Sequence, residues 1–591
     1  MKPKVKPRVD GEHRGAIVDG QHLQGRRRAP DAVAEEKLGE PVPRVGAVAH
    51  GVLARSHQIA QRFADRVGDP DGGQVAGFLH PPTPSPICSI TQEPGRTPGF
   101  MLTSMGRRLT VIGLAVSGAI GCRPSDVLSV PAPAGVVASA ALQSQAGAES
   151  VFNGAKAQLF TAADQPFNGL LTWSGLLTDE FTFSGFTYFA SYANIDARLT
   201  AVAGGFNESG DAPWGNLLQA RSALLVALPL LAKYEPSSGR SKVGETYALV
   251  GYAELLLAEA YCAGTALNDV VPGGGIQYGV PITTDSLEGA AVVHFDSALA
   301  EGNGDATVLG LASVGLGRAL IDRGNYAGAA AAVASVATSF VYNVTLEPSE
   351  NTAPYTPNLY GKGVQKAYYR FFNVADVEGG NGMNFISAHD PRLVLDTISY
   401  ETQDGTYGGA VPGIWYLPTK FEGDLADIPL ATGVEARLIE AESQLPGNPA
   451  TWLTDLNALR TGGCSGSADS TCTIGTGQVV GQATGLQPLA DPGSDSARVS
   501  LLFRERAFWL YGTGTRLGDL RRLIRQYGRD QSTVFPTGPY APTYQSQLPT
   551  PIPNYGTDVN LTLPTQAGLA YEGSTITNPN YKGCIASTKT A

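Results

Sequence analysis

The segment Ala319-Leu-Ile-Asp-Arg-Gly-Asn-Tyr-Ala-Gly-Ala-Ala330 carries the strongest architectural signal in this 591-residue chain. Within it, Gly324-x-Tyr326-x-x-Ala329 matches the inter-helix signature of a tetratricopeptide repeat: the glycine turns the chain, the tyrosine fills the helix pair and the alanine permits close approach. Asp322-Arg-Gly-Asn325 supplies a glycine to end one helix and an asparagine to cap the next. Apolar residues recur at three- and four-residue intervals on both sides, predicting helices over Leu309–Asp322 and Tyr326–Ala337. The same period runs through Ala290–Ala300 and through Gly244–Cys262, where Tyr247, Ala248, Leu249, Tyr252, Leu255 and Leu256 share a face opposite the acids. Such helices bury their apolar faces against one another, so the expected fold is mainly α, with tetratricopeptide-like helical pairs in an α-solenoid-like arrangement.

Toward the C-terminus, helices are predicted again at Pro429–Leu445, Pro449–Arg460, Ser500–Tyr511 and Arg516–Tyr527. Between the two helical blocks, residues 340–425 lose the helical period. Prolines, glycines and aromatics crowd into Pro354-Tyr-Thr-Pro-Asn-Leu-Tyr360, Gly379-Gly-Asn-Gly-Met-Asn-Phe385 and Pro412-Gly-Ile-Trp-Tyr416. This reads as a loop-rich insertion with few short strands, and long ordered loops usually carry function.

Before the helices the chain changes character. Residues 1–104 hold His13, His22, His50, His57 and His80 out of 7 histidines, yet none of the 23 tyrosines or 5 tryptophans. They carry 14 basic and 11 acidic residues, against 28 and 42 in residues 105–591. At the join, Met105-Gly-Arg-Arg precedes the apolar run Leu109–Ile120 and then Gly121-Cys122, the layout of a secretory signal peptide. The run is too short to span a bilayer as a helix. Ala119-Ile-Gly-Cys122 resembles the bacterial lipobox, in which the cysteine is acylated and becomes the first mature residue. The expected organisation is therefore a spurious, disordered upstream extension (1–104), a lipoprotein signal peptide (105–121) and one mature domain (122–591).

Several segments of the mature chain together resemble the SusD/RagB family of outer-membrane nutrient-uptake lipoproteins. Leu501-Leu-Phe-Arg-Glu-Arg-Ala-Phe-Trp-Leu510, followed by Gly514-Thr-Arg-Leu-Gly-Asp-Leu-Arg-Arg522 and Val534-Phe-Pro-Thr-Gly538, looks like the family's C-terminal motif. Ala436-Arg-Leu-Ile-Glu-Ala-Glu442 with Leu456-Asn-Ala-Leu-Arg460 resembles the helix pair before it. Trp173-Ser-Gly-Leu-Leu-Thr-Asp-Glu-Phe181, Ile195-Asp-Ala-Arg198, Tyr278-Gly-Val-Pro-Ile282 and His389-Asp-Pro-Arg392 are similar to landmarks nearer the start. The resemblance implies a lipid-anchored, cell-surface protein of the outer membrane that is not an enzyme. It implies capture of a glycan or other small nutrient and its delivery to a TonB-dependent SusC-like barrel, with membrane attachment through the lipid on Cys122.

Residue chemistry supplies a separate argument. The mature chain keeps only His294 and His389; a histidine-built zinc site is out of reach and no metal or cofactor is expected. Pro272-Gly-Gly-Gly275 lacks the Lys-Ser/Thr of a phosphate-binding loop. A net charge of −11 argues against nucleic acid as a partner. Two carboxylates would suffice for a glycosidase, so a lipid-anchored glycan-processing enzyme stays as an alternative, as does a tetratricopeptide protein-interaction scaffold. Most acids sit at helical spacings beside Lys and Arg, where caps and ion pairs account for them. The cluster Arg504, Glu505, Arg506, Arg516, Asp519, Arg521 and Arg522 reads as ionic scaffolding in which each acid pairs with a neighbouring arginine.

Sugars are held by aromatic faces with amides alongside. The candidate ligand residues are accordingly Trp415 and Tyr416 in a Pro/Gly loop, Asn381 and Asn384 beside glycines, and Trp173; for Trp415 and Trp173 a core role stands equally open. Trp214, Trp452 and Trp509 lie in helical patterns and belong to the core. Cys464 and Cys472, in a Gly/Ser/Asp loop, are the expected disulfide, whereas pairing of Cys262 with Cys584 is the less favoured possibility.

Overall fold

The computed structural model describes residues 142–164, 169–184, 190–201, 211–271, 275–345, 372–400, 413–419, 427–446, 451–463, 486–540, 551–564 and 578–591. The expected upstream extension, signal peptide and Cys122 lie outside these residues, as do Cys464 and Cys472. Among the described residues the first helices are α1 (Gln145–Asp164), α2 (Leu170–Leu177), α3 (Ala190–Asp196), α4 (Asp211–Tyr234) and α5 (Ser241–Ala260). There follow α6 (Thr284–Glu301), α7 (Ala306–Asp322), α8 (Tyr326–Val333), α9 (Gly433–Gln444), α10 (Trp452–Ala458), α11 (Asp495–Trp509) and α12 (Arg516–Arg525).

From α4 to α10, neighbours in sequence are neighbours in space, α4 packing on α5, α5 on α6, α6 on α7, α7 on α8, α8 on α9 and α9 on α10, while α1 packs on α4 across the two intervening helices. This is the helix-pair succession expected from the repeat signature. At its centre Gly324 has φ +71°, the left-handed geometry that ends a helix without steric cost. The Asn325 side chain then accepts from the Gly328 amide and caps α8. α4 is long and apolar enough to cross a membrane by length and composition. Leu217, Ala220, Leu224, Ala227 and Leu231 are nonetheless fully buried at its contacts within the bundle, so it is a core helix.

The strands come in short antiparallel pairs: β1 (Phe181–Phe183) with β5 (Phe372–Val374), β2 (Asp269–Val271) with β3 (Gly275–Gln277), β4 (Val341–Val344) with β8 (Ile428–Thr432), and β6 (Leu395–Tyr400) with β7 (Gly413–Pro418). β8 corrects the helix predicted to begin at Pro429. Residues 428–432 are buried without interruption and pair with β4 across a bulge at Tyr342/Asn343, facing Pro429. A bulge accommodates a residue that lacks an amide donor. The helix starts only at Gly433, capped by the Thr432 hydroxyl, which accepts from the Glu435 amide.

Among the described cysteines, the less favoured pairing is the one present. Cys262, just beyond α5, forms a disulfide with Cys584 across 322 residues of chain. The C-terminal segment is stitched to the same place by a backbone bond from the Leu561 amide to the Ala260 carbonyl. Long-range packing brings these two thiols together, and nothing local in either segment announces it.

The arginine-rich cluster is indeed internal scaffolding, although its partners come from farther away than expected. Arg506 and Arg522 share Asp519 within the cluster, while Arg522 also reaches Asp322 on α7 and Glu442 on α9. Arg516 pairs with Asp179, and Arg521 donates to the Ala258 and Glu259 carbonyls at the end of α5. Five arginines outnumber the two acids of the cluster, so α12 draws its counter-charges from α5, α7, α9 and the segment after α2. The charged face of α12 thereby pins together elements distant in sequence. The buried pairs confer little net stability on assembly but a large penalty when one partner is lost.

Candidate functional site

The candidate surface is built on the insertion. β5 pairs with β1, and β7 pairs with β6. Asn373 joins the two hairpin-like units with its side chain: its Nδ2 donates to the Ile414 carbonyl (3.1 Å) and its Oδ1 accepts from the Tyr416 amide (2.9 Å). The carboxamide thus reproduces the hydrogen-bond pattern of a neighbouring strand, and β1, β5, β7 and β6 act as one small curved surface.

Strand alternation then sorts the side chains of β7. Trp415 points inward, 2% exposed, and its indole Nε1 donates to Ser184 Oγ at 3.2 Å. Ile414, 52% exposed, and the half-buried Tyr416 lie on the opposite face. Thr397 of β6, exposed, stands across from Tyr416 in the register. Beneath this surface, Trp173, Phe183, Tyr192 and Phe372 form an aromatic layer. Ring centroids lie 5.4 Å apart for Trp173–Tyr192, 5.4 Å for Tyr192–Phe372 and 5.8 Å for Phe183–Tyr192.

The candidate ligand residues therefore divide. Trp173 is fully buried on α2 and belongs to the aromatic layer, and Trp415 is likewise buried in the core, so neither presents a ring face for stacking. Asn381 spends its amide on the Ser532 and Phe535 carbonyls (2.9 and 2.8 Å). Asn384 accepts from Arg504 at 2.9 Å. Both asparagines fasten the turn after β5 to the C-terminal helices. Tyr416 alone of the five sits on the outer face. Sequence reasoning passed over Asn373 and Ile414, although the two-residue alternation around Trp415 was available as a signal.

The surface is anchored to the helical body through Arg392. Its guanidinium binds Asp390 and, through Nη1 at 2.7 Å, Glu505 of α11. It lies 5.2 Å from the ring centroids of Phe508 and Trp509. Arg460 completes the pairing of Glu505 at 2.8 Å. Burial pulls Asp390 upward, but the hydrogen bonds and charge of Arg392 outweigh it and hold the carboxyl below its ordinary range. His389 stands beside this ion pair with φ +48°. His294, on α6, donates through Nδ1 to Glu254 at 2.7 Å, and the other Glu254 oxygen accepts from Arg221; it is a structural histidine, as its mid-helix position suggested.

No family model matches the chain, and no curated protein matches it in sequence. Solved structures do match in three dimensions. A SusD superfamily protein from Parabacteroides distasonis superposes with a TM-score of 0.52 at 12% identity, covering 75% of this chain and 99% of the other. The fold is that of SusD-like proteins. A SusD-like carbohydrate binding protein from Bacteroides vulgatus covers 73% of this chain and 97% of its own, at 17% identity and TM-score 0.49. A surface glycan-binding protein A from Bacteroides uniformis covers 73% and 100%, at 12% identity and TM-score 0.48.

Proposed function

We propose that this chain is a SusD/RagB-type glycan-binding protein, without catalytic activity of its own, that captures an oligosaccharide on the surface formed by β1, β5, β7 and β6. The reading is carried by the combination of a SusD-like fold spanning nearly the whole of a solved relative with Tyr416 and Ile414 side by side on the outer face of β7. A tyrosine ring offers a flat apolar face to a pyranose, Ile414 extends that face, and Thr397 places a hydroxyl opposite for the sugar's polar edge. The signal-peptide layout and lipobox resemblance at Leu109–Cys122 support a lipid anchor at Cys122 in the outer membrane, exposed at the cell surface. The family resemblance supports delivery of the ligand to a TonB-dependent SusC-like barrel.

An oligosaccharide panel tests the reading by calorimetry and by chromatography of the recovered sugar. Binding that Tyr416→Ala weakens, with the glycan recovered unchanged, is the expected result. Chain-shortened products would establish the enzyme alternative, and a panel without any binder would remove the glycan reading.

A further inference from the structure

Two buried carboxyls lie against each other beside the candidate surface. Asp196, the last residue of α3, is fully buried, and its Oδ2 accepts from the Phe183 amide (2.9 Å) and the Tyr540 hydroxyl (2.8 Å). Glu378, in the turn after β5, accepts at Oε1 from the Tyr555 hydroxyl (2.9 Å). Among the described residues the other two oxygens, Asp196 Oδ1 and Glu378 Oε2, are buried with no donor, and the two side chains are within hydrogen-bonding reach of each other. Two orphaned acceptors on neighbouring carboxyls are satisfied if a single proton is shared between them.

The turn that carries Glu378 is strained. Val377 has φ +52° and Gly379 φ +59°; a β-branched residue in the left-handed region persists only where the surroundings enforce it. Close packing does part of this, since a Cβ on Gly379 would lie 2.3 Å from the Thr537 amide nitrogen. The Met383 amide donates to Asp179 Oδ2 at 2.7 Å, and Asn381 is tied to residues 532 and 535.

We propose that Asp196 and Glu378 share one proton, and that this shared proton is a pH-sensitive latch holding the strained turn 376–383 against α3 and the C-terminal segment. The charged groups around the pair leave the proton without a substitute. Asp179 faces Glu378 and adds negative charge, but is itself neutralised by Arg516 at 2.7 Å. Arg198, two residues beyond Asp196, donates to the Asp558 and Pro536 carbonyls and to Gln531. Asp558 is held by Thr200 and Thr588. Tyr540 donates to Asp196 and Tyr555 to Glu378. Among the described residues, therefore, no cation pairs with either carboxylate.

Burial raises both acids above their ordinary range, and Glu378 rises farther because Asp196 and Asp179 also face it. A carboxyl raised in the folded protein stabilises the fold fully below its unfolded value and loses that contribution as pH rises through the folded value. The latch is thus closed at low pH and opens as pH rises through the raised value. Asn381 lies in the turn and Asn384 follows it, so opening releases the edge of the surface next to β5. The latch is independent of which ligand the surface takes.

The test is hydrogen–deuterium exchange of the peptide spanning 376–384, followed from pH 6 to pH 10 in the intact protein and in Glu378→Gln. The glutamine amide donates to Asp196 at every pH while its oxygen still accepts from Tyr555, so the variant is permanently latched. The wild-type-to-variant exchange ratio, which cancels base-catalysed exchange, is expected to rise at least tenfold across the range. The ratio for the α8 peptide 326–333 is expected to stay flat. A constant ratio at 376–384, or an equal rise at both peptides, overturns the latch. Asp196→Asn makes the same measurement if Glu378→Gln fails to fold.

Discussion

Replacing Arg522 by methionine removes one guanidinium from the centre of the molecule and leaves three carboxylates behind. Arg522 is 1% exposed and reaches Asp322 at 2.7 Å, Asp519 at 2.7 Å and both oxygens of Glu442 at 3.1 Å. Arg506 remains beside Asp519 at 2.8 Å and Glu442 at 3.7 Å, so Asp322 is the acid left most exposed to the loss. Breaking a buried pair by deleting one partner costs about 3–5 kcal/mol. A folded body of this size has an unfolding entropy of roughly 1 kcal/mol per degree, which translates the loss into a fall in Tm of about 3–5 °C.

The pH dependence carries the sharper information. In the native protein, burial pulls Asp322 upward, but Arg522 and Arg525 overcome it and hold the carboxyl below its ordinary range. Its contribution is therefore present above the ordinary carboxylate value and lost as pH falls through the lowered one. Without Arg522 the same burial works unopposed by that partner, the acid takes up a proton, and the variant's deficit shrinks as pH is lowered. Scanning calorimetry of wild type and Arg522→Met at pH 8 and pH 5 is expected to show a larger Tm difference at pH 8. A difference below 1 °C at both values would refute the view that α12 is held by buried charge.

Three further outcomes are expected. Removing the long-range disulfide with Cys262→Ala/Cys584→Ala opens a loop of 322 residues; chain entropy sets an upper limit of about 5–6 kcal/mol, and a loss of about 2–5 kcal/mol is expected in denaturant titrations under oxidising conditions. Trp415→Ala, which empties a buried core position, is expected to cost about 3–5 kcal/mol, whereas Tyr416→Ala is expected to weaken glycan binding with little change in Tm; equal destabilisation by both would put Tyr416 in the core as well. Asn325→Ala removes the side-chain cap of α8 and is expected to lower stability by about 1 kcal/mol, read from the urea midpoint.

Much of the helical body is legible from local chemistry. Gly324 and Asn325 end one helix and begin another for reasons that act within a few residues, and the 3.6-residue period of α5 to α8 dictates which faces must be buried. Pro429 is the instructive exception: the run to Leu445 has a helical composition, yet residues 428–432 gain more by pairing with β4 in a fully buried strand than by starting the helix early. A strand's partner lies far off in sequence, and no window of a few residues contains it.

The candidate surface shows the same division. Composition placed aromatics and amides in the insertion, and Tyr416 was among them. It could not separate Tyr416 from Trp415, because adjacent residues on a strand face opposite sides and only the position of the core says which is which. By itself, the sequence determined the succession of helix pairs, the caps between them and the presence of an aromatic, loop-rich insertion, since propensity, period and turn chemistry are local. Tertiary structure alone decided the Cys262–Cys584 bond, the distant counter-ions of α12, the Asn373 bridge and the carboxyl pair Asp196–Glu378. Each depends on which buried donor meets which acceptor, and that is fixed only when segments hundreds of residues apart close on one another.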